Sequence, residues 1–157
     1  MLLATLSLKA QDKLKNGFIY KDHPYIQTII KLFEFGSKGD TLSMKAFYAD
    51  SARFYQSPDY SETAGFETLN QVRSNWSKIY NQWEIQSMVK IGNLDGFEYE
   101  NAPFTVKSSW YITAIFKKTH KKASFLEIVL DEFNKEGKIT KESSYFDASS
   151  FKEAVLP

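Results

Sequence analysis

The chain of 157 residues contains no cysteine, which excludes a disulfide framework, a thiol nucleophile and a thiolate metal site. It contains only two histidines, so a histidine-based metal centre is not expected either. The sequence has no glycine-rich phosphate loop, no dinucleotide-binding fingerprint and no Gly-x-Ser-x-Gly elbow. We therefore expect neither a metal nor another cofactor.

The chain also has no large net charge, because its 20 Lys and Arg residues nearly balance its 19 Asp and Glu residues. Long-range attraction to nucleic acid or to an anionic membrane is therefore not expected. The apolar run near the start is far shorter than the about 20 residues that a membrane-spanning helix needs.

Residues 1–11, MLLATLSLKAQ, allow two interpretations: a short export signal cleaved near Ala10, or a disordered tail. The first would place the protein in the periplasm, the second in the cytoplasm.

Glycine and proline are scarce as well, with seven and four residues, which argues against disorder. Aromatic residues make up 16% of the chain, which suits a large core, a lined cavity or both. The length predicts a single domain over residues 21–157, after a tail or signal-like segment over residues 1–20.

The first part of the chain predicts three helices. The first begins at Pro24 with Asp22 as its cap and ends near Gly36 or Gly39. The second starts at Asp40 or Thr41 and is expected to bury three apolar residues, Leu42, Ala46 and Phe47. The third is the longest, and its apolar positions step by three or four residues: Leu69, Val72, Trp76, Ile79 and Trp83.

The second part of the chain changes to the period of two that is typical of strands. Predicted strands cover residues 85–91, 97–100, 107–117, 123–133 and 138–146, after an earlier one at 53–56, and hairpin turns end in Gly96 and Gly137. Helices followed by antiparallel strands predict an α+β fold. Because the long strands are apolar on both faces, they need cover on both sides. We expect helices and a pocket on one side and a second subunit, in a homodimer, on the other.

Three segments carry a family resemblance: GDTLSMKAFYADSARFYQSP at 39–58, the helix start at Gly65, and EFNKEGKITKESSYFDASSF at 132–151. In order and spacing they resemble the NTF2-like superfamily, and in particular its SnoaL-like and ketosteroid isomerase-like branch. The resemblance covers residues 22–151. It implies a cone of about three N-terminal helices packed on a strongly curved, mostly antiparallel sheet around a pocket. The superfamily contains isomerases, cyclases, dehydratases, hydrolases and non-catalytic proteins, so the fold does not determine the function.

The resemblance also implies that the chemistry of a ketosteroid isomerase is absent. That chemistry needs a carboxylate base, a tyrosine hydroxyl and a neutral aspartic acid. The matched motifs place the base on Gln56, or on Ser57 if the gap shifts by one, and the other two roles on Leu32 and Val129. Gln cannot act as a base, and Leu and Val cannot donate a hydrogen bond.

The same alignment points Val129 into the pocket, and strand alternation then turns Glu127 and Asp131 the same way. Glu127 is the candidate general acid or base, because apolar neighbours should remove its hydration and raise its pKa. The alternative is a structural carboxylate that pairs with a Lys or bonds neighbouring groups. Asp131 lies nearer the strand end, where we expect it to be solvated. The candidate ligand-binding residues are Gln56, Trp110, Ile112, Phe125, Val129, Asp131, Ser144 and Phe146.

Three functions follow from these observations. The chain binds an apolar small molecule in an aromatic-lined pocket, or it is a SnoaL-like enzyme, or it is a protein-interaction module. The enzyme would be a proton-transfer isomerase, a cyclase or a dehydratase that uses Glu127. The vacant catalytic positions favour the first function, and an inward Glu127 favours the second.

Overall fold

The computed structural model describes residues 16–56 and 65–156, which form four helices and eight strands. The helices are α1 (Pro24–Ser37), α2 (Thr41–Lys45), α3 (Leu69–Gln82) and α4 (Ser149–Val155). The strands are β1 (Gly17–Tyr20), β2 (Tyr48–Gln56), β3 (Glu67–Thr68), β4 (Trp83–Lys90), β5 (Asp95–Tyr99), β6 (Phe104–Phe116), β7 (Lys122–Phe133) and β8 (Ile139–Phe146). The predicted export signal and Ser57 lie outside the described residues.

The eight strands form one strongly curved, unclosed sheet in the order β1-β5-β6-β7-β8-β2-β3, and β4 pairs with β6 beside β5. Only β2 and β8 run parallel among the described strand pairs. The ladder between β6 and β7 extends from Phe104 opposite Phe133 to Ile115 opposite Lys122. The predicted α+β fold is confirmed.

Some elements differ from the sequence prediction. Helix α4 was not predicted, because seven residues are too few to establish a helical period. Strands β1 and β3 were also missed, since they have only four and two residues. Strand β1 pairs with β5, so residues 17–20 belong to the sheet although we assigned them to the tail.

Helix α1 packs its apolar face on the concave side of the sheet and buries Ile26, Ile29 and Leu32. Its cap is His23 rather than the predicted Asp22, because His23 is the last extended residue and its Nδ1 accepts a hydrogen bond from the Tyr25 N–H at 3.2 Å. Helix α3 buries Leu69 and Val72, and the hydroxyl of its Tyr80 donates a hydrogen bond to the Gly36 carbonyl of α1 at 2.7 Å.

Helix α2 is also oriented differently from the prediction. Met44 is its buried residue, whereas Leu42 is 74% exposed and Ala46 is exposed beyond the helix end. The predicted cap, Asp40, is present and accepts a hydrogen bond from the Ser43 N–H at 3.0 Å. With five residues, α2 presents one side chain to the core, so its buried face could not be deduced from periodicity.

Gly96, which we predicted to end a hairpin turn, does not have the positive φ that such a turn favours. It lies within β5, and a Cβ atom there would come within 2.8 Å of the Phe104 ring. The turn before β5 contains Gly92 instead, with a φ of 68°. Gly137, at the other predicted turn, has a φ of 76°.

Candidate functional site

A cavity of about 400 Å³ lies between the helices and the concave face of the sheet. Its walls come from α1, α2, α3 and α4 and from strands β2, β4, β6, β7 and β8. Most of the lining is apolar, including Leu32, Phe33, Met44, Val72, Trp76, Ile79, Trp83, Ile85, Met88, Ile112, Phe125, Val129, Phe146 and Phe151. A concave apolar space of this size is typical of a small-molecule site.

Polar side chains occur in the lining at a few positions. They are Tyr48, Gln56, Asn75, Tyr80, Glu127, Glu142 and Ser144. Strand alternation explains how the two carboxyl groups reach the cavity: Glu127 shares a face of β7 with Val129, and Glu142 shares a face of β8 with Ser144. Ser144 lies opposite Val129 in this register, so it is close to both glutamates.

The hydroxyl of Tyr48 donates a hydrogen bond to Oε2 of Glu142 at 2.5 Å. Burial raises the pKa of Glu142 to about 7, although the hydrogen bond from Tyr48 acts in the opposite direction. Burial also raises the pKa of Tyr48 well above its usual range, and the neighbouring carboxyl groups add to this effect. Of the two groups, Glu142 rather than Tyr48 is therefore the one whose charge changes near neutral pH.

Glu127 accepts a hydrogen bond from the Ser144 hydroxyl at 2.9 Å. Burial raises its pKa above the ordinary value, and the bond from Ser144 partly offsets the increase. A carboxyl group with a raised pKa that also lines a cavity can take up or release a proton next to an occupant.

Asp131 is fully buried, with 0% of its surface exposed, although its position near the strand end predicted solvation. The prediction was wrong because Asp131 lies on the same face of β7 as Val129 and Phe133, which belong to the hydrophobic core, so the strand end is not open to solvent there. Glu142 of β8 lies directly opposite Asp131. Neither carboxyl oxygen has a hydrogen-bond partner among the described residues, and burial raises the pKa of Asp131 well above its usual range. Asp131 is therefore adjacent to the cavity lining but is not part of it.

Trp110 also lies outside the lining of the main cavity. Its indole stacks on Phe33 with ring centroids 3.9 Å apart, and it lines a second, smaller cavity of about 250 Å³. Phe33 and Met88 line both cavities and separate them. The indole nitrogen is buried and has no hydrogen-bond partner in the described part of the chain.

The remaining predicted ligand-binding residues all line the main cavity: Gln56, Ile112, Phe125, Val129, Ser144 and Phe146. Leu32, to which the sequence resemblance assigns the position of the isomerase tyrosine, lines it too. Sequence reasoning missed Glu142 as a site residue. Its signal was present, because Glu142 is two residues before Ser144 on a strand whose inward face we had already assigned.

No group of three or more His, Asp or Glu residues within the described ranges is arranged to hold a metal ion. Likewise, no helix in these ranges is both long enough and apolar enough to cross a membrane.

No family model matches the sequence, and no curated protein matches it either. Solved structures do match. An NTF2-like protein from Burkholderia thailandensis superimposes with a TM-score of 0.66 at 15% identity, over 87% of this chain and 100% of that one. A proposed isomerase from Bacillus subtilis matches with a TM-score of 0.65 at 17% identity, over 82% and 89% of the two chains.

A proposed SnoaL-like polyketide cyclase from Mesorhizobium loti is similar over 73% of this chain and 92% of its own length, with a TM-score of 0.53 at 19% identity. At these identities the likeness concerns the fold and leaves the reaction undetermined. The chain has the NTF2-like fold, shared with SnoaL-like proteins, as the sequence resemblance predicted.

Proposed function

We propose that the protein binds an apolar small molecule in the main cavity. The observation that supports this most strongly is the cavity itself, about 400 Å³ in volume and lined by aromatic and aliphatic side chains with a few polar groups. The sequence resemblance assigns the three catalytic positions of a ketosteroid isomerase to Leu32, Val129 and either Gln56 or Ser57, none of which can perform those roles. Binding without steroid-type isomerisation is the function that this set of residues supports.

The test is a fluorescence titration with N-phenylnaphthylamine, a neutral apolar dye whose emission rises in an apolar environment. Val129→Phe fills part of the cavity and should weaken dye binding by at least about tenfold. Ile128→Phe is the matched control, because it adds the same kind of ring to the opposite face of β7. Equal binding by both variants and by the wild-type protein would place the dye elsewhere and contradict the proposal.

A second candidate function, acid–base catalysis, is favoured by the position of Glu127. Glu127 lines the cavity, receives its hydrogen bond from Ser144 and has a raised pKa, which is the combination that proton transfer needs near neutral pH. The isomerase and cyclase assignments of structurally similar proteins agree with this chemistry, but they concern those proteins.

Deuterium exchange into β-tetralone tests this second function, because its benzylic protons are acidic and NMR follows their loss in D₂O. Exchange that the wild-type protein accelerates and Glu127→Gln does not would support Glu127 as the base. Equal acceleration by the two proteins would exclude Glu127 from that role.

We also propose that the protein forms a homodimer through the outer face of the sheet. Val89, Tyr111 and Leu126 lie side by side on β4, β6 and β7, in direct register. Their side chains are 52%, 45% and 47% exposed in the single chain, which is a continuous apolar row across three strands. A second copy of the same face would cover it.

A further inference from the structure

Among the residues that the structure describes, those lining the main cavity include acidic groups but no basic group. Glu127 and Glu142 line it, and Asp131 lies behind them on the same face of β7 as Glu127. None of the described residues in the lining is Lys, Arg or His. The segment 57–64, which follows Gln56 in the sequence, contains none of these residues either. Ionised carboxylates in such a site need a cation from another source.

The carboxyl groups also have unused capacity for hydrogen bonds. An ionised carboxylate can accept about four, yet within the described residues Glu142 accepts one from Tyr48 and Glu127 one from Ser144. Asp131 accepts none, although it is fully buried and lies directly opposite Glu142. Buried polar groups without partners are uncommon, so this end of the cavity is incomplete in the protein alone.

We propose that the occupant of the main cavity is an apolar molecule with a protonated amino group, and that Glu127, Ser144 and Glu142 hold the ammonium. These three residues are called the acidic wall below. The inference rests on the proposed function, because the apolar part of the ligand occupies the same cavity.

The chemistry of an ammonium group matches this wall. A primary ammonium has three N–H donors and no acceptor, whereas the wall offers two carboxyl groups and a hydroxyl oxygen. The aromatic rings of Tyr48, Trp76 and Phe125 belong to the same cavity lining and can attract a cation through their faces. A ligand with a carboxylate would be repelled by the same groups.

Binding of an amine has a distinctive effect on protons. In the empty cavity, burial raises the pKa of both carboxyl groups of the wall, and with a pKa of about 7 Glu142 is partly protonated near neutral pH. The ammonium stabilises their ionised forms, so a proton leaves the wall for solvent as the ligand binds. The other titratable groups facing the wall are Tyr48 from β2, Tyr80 from α3 and Asp131 from β7. The described residues of α1, α2, α4, β4 and β6 contribute none to the lining.

A neutral ligand with a carbonyl oxygen would behave in the opposite way. It would accept a hydrogen bond from a protonated carboxyl group, and its affinity would fall as the pH rises above about 7 and Glu142 ionises. Among the described residues, the two carboxyl groups of the acidic wall accept one hydrogen bond each and Asp131 accepts none. This spare capacity favours the amine, because one bound carbonyl would leave an ionised carboxylate without a compensating charge. The pH dependence of binding therefore separates the two ligand classes.

The experiment compares three ligands with the same aromatic body: naphthylethylamine, naphthylethanol and acetonaphthone. Each displaces N-phenylnaphthylamine from the wild-type protein, and calorimetry near pH 7 in two buffers of different ionisation enthalpy measures proton release. We expect the amine to bind at least about tenfold more tightly than the alcohol and to release protons. The double variant Glu127→Gln, Glu142→Gln should bind the amine and the alcohol equally.

Glu132→Gln is the matched control, because Glu132 forms its ion pair with Lys141 and is not part of the cavity lining. It should retain the preference for the amine. An amine that binds no better than the alcohol, or an acetonaphthone that binds most tightly and without proton release, would overturn the inference while leaving the proposed function intact. Failure of the dye itself to bind would overturn the proposed function.

Discussion

At the scale of single residues, three acidic side chains determine the chemistry of the cavity. Glu127, Asp131 and Glu142 lie on the inward face of two neighbouring strands, and burial raises the pKa of each. The pKa values rise because the neutral form of a carboxyl group loses less hydration on burial than the charged form. Burial thus favours the neutral form of each group in the folded protein relative to the unfolded chain.

Glu142 allows this effect to be measured. Its pKa rises from 4.5 to about 7, so the folded protein holds a proton that the unfolded chain releases between these values. The free energy of unfolding should therefore fall as the pH rises from about 4.5 to about 7, by roughly 2–3 kcal/mol from this group. Glu142→Gln removes that contribution, so its denaturant midpoint should change less over this range than that of the wild-type protein. An identical slope in the two proteins would contradict the assignment, and Glu132→Gln serves as the control.

At the scale of elements, helix α3 supplies much of one cavity wall, and its N-terminus is fixed by a capping box. The Thr68 hydroxyl accepts a hydrogen bond from the Gln71 N–H, and the Gln71 side chain accepts one from the Thr68 N–H at 2.8 Å. Because two backbone groups at the helix start depend on these side chains, the first turn of α3 should be sensitive to either residue.

Thr68→Ala should therefore lower the free energy of unfolding by about 1 kcal/mol, as measured by urea denaturation. Ser77→Ala is the matched control on the same helix. The Ser77 hydroxyl bonds only to the Arg73 carbonyl one turn earlier, and alanine is the better helix former, so stability should change little. An equal decrease in the free energy of unfolding in both variants would contradict a specific contribution of the capping box.

How much of the site could be predicted from the sequence depends on whether a feature lies within one strand or joins two elements. The period of two in β7 correctly indicated that Glu127 and Val129 share a face, because side-chain direction in a strand depends only on position. The same rule could not show that Trp110 stacks on Phe33 and lines the second cavity, because that contact joins a residue of α1 to a residue of β6. Nor could it show that Asp131 is fully buried, because burial depends on what packs against that face of β7 in three dimensions.

At the scale of the whole molecule, the outer face of the sheet carries an apolar row that is exposed in the single chain. Leu126→Lys places a charge in the middle of the exposed apolar row and should convert the proposed homodimer to a monomer in light-scattering measurements. Leu42→Lys is the control, because Leu42 is at least as exposed but lies on α2, away from the sheet. A wild-type protein that is monomeric at about 100 µM would refute the dimer, since an interface of this kind should hold at such concentrations.

The central claim concerns the interior of the molecule, where the cavity is expected to hold a small apolar ligand. A crystal structure of the complex with N-phenylnaphthylamine tests it most directly. We expect density for the dye between α3 and the sheet, in contact with Trp76, Val129 and Phe125. Dye density only on the outer surface, with an unchanged cavity, would contradict the account.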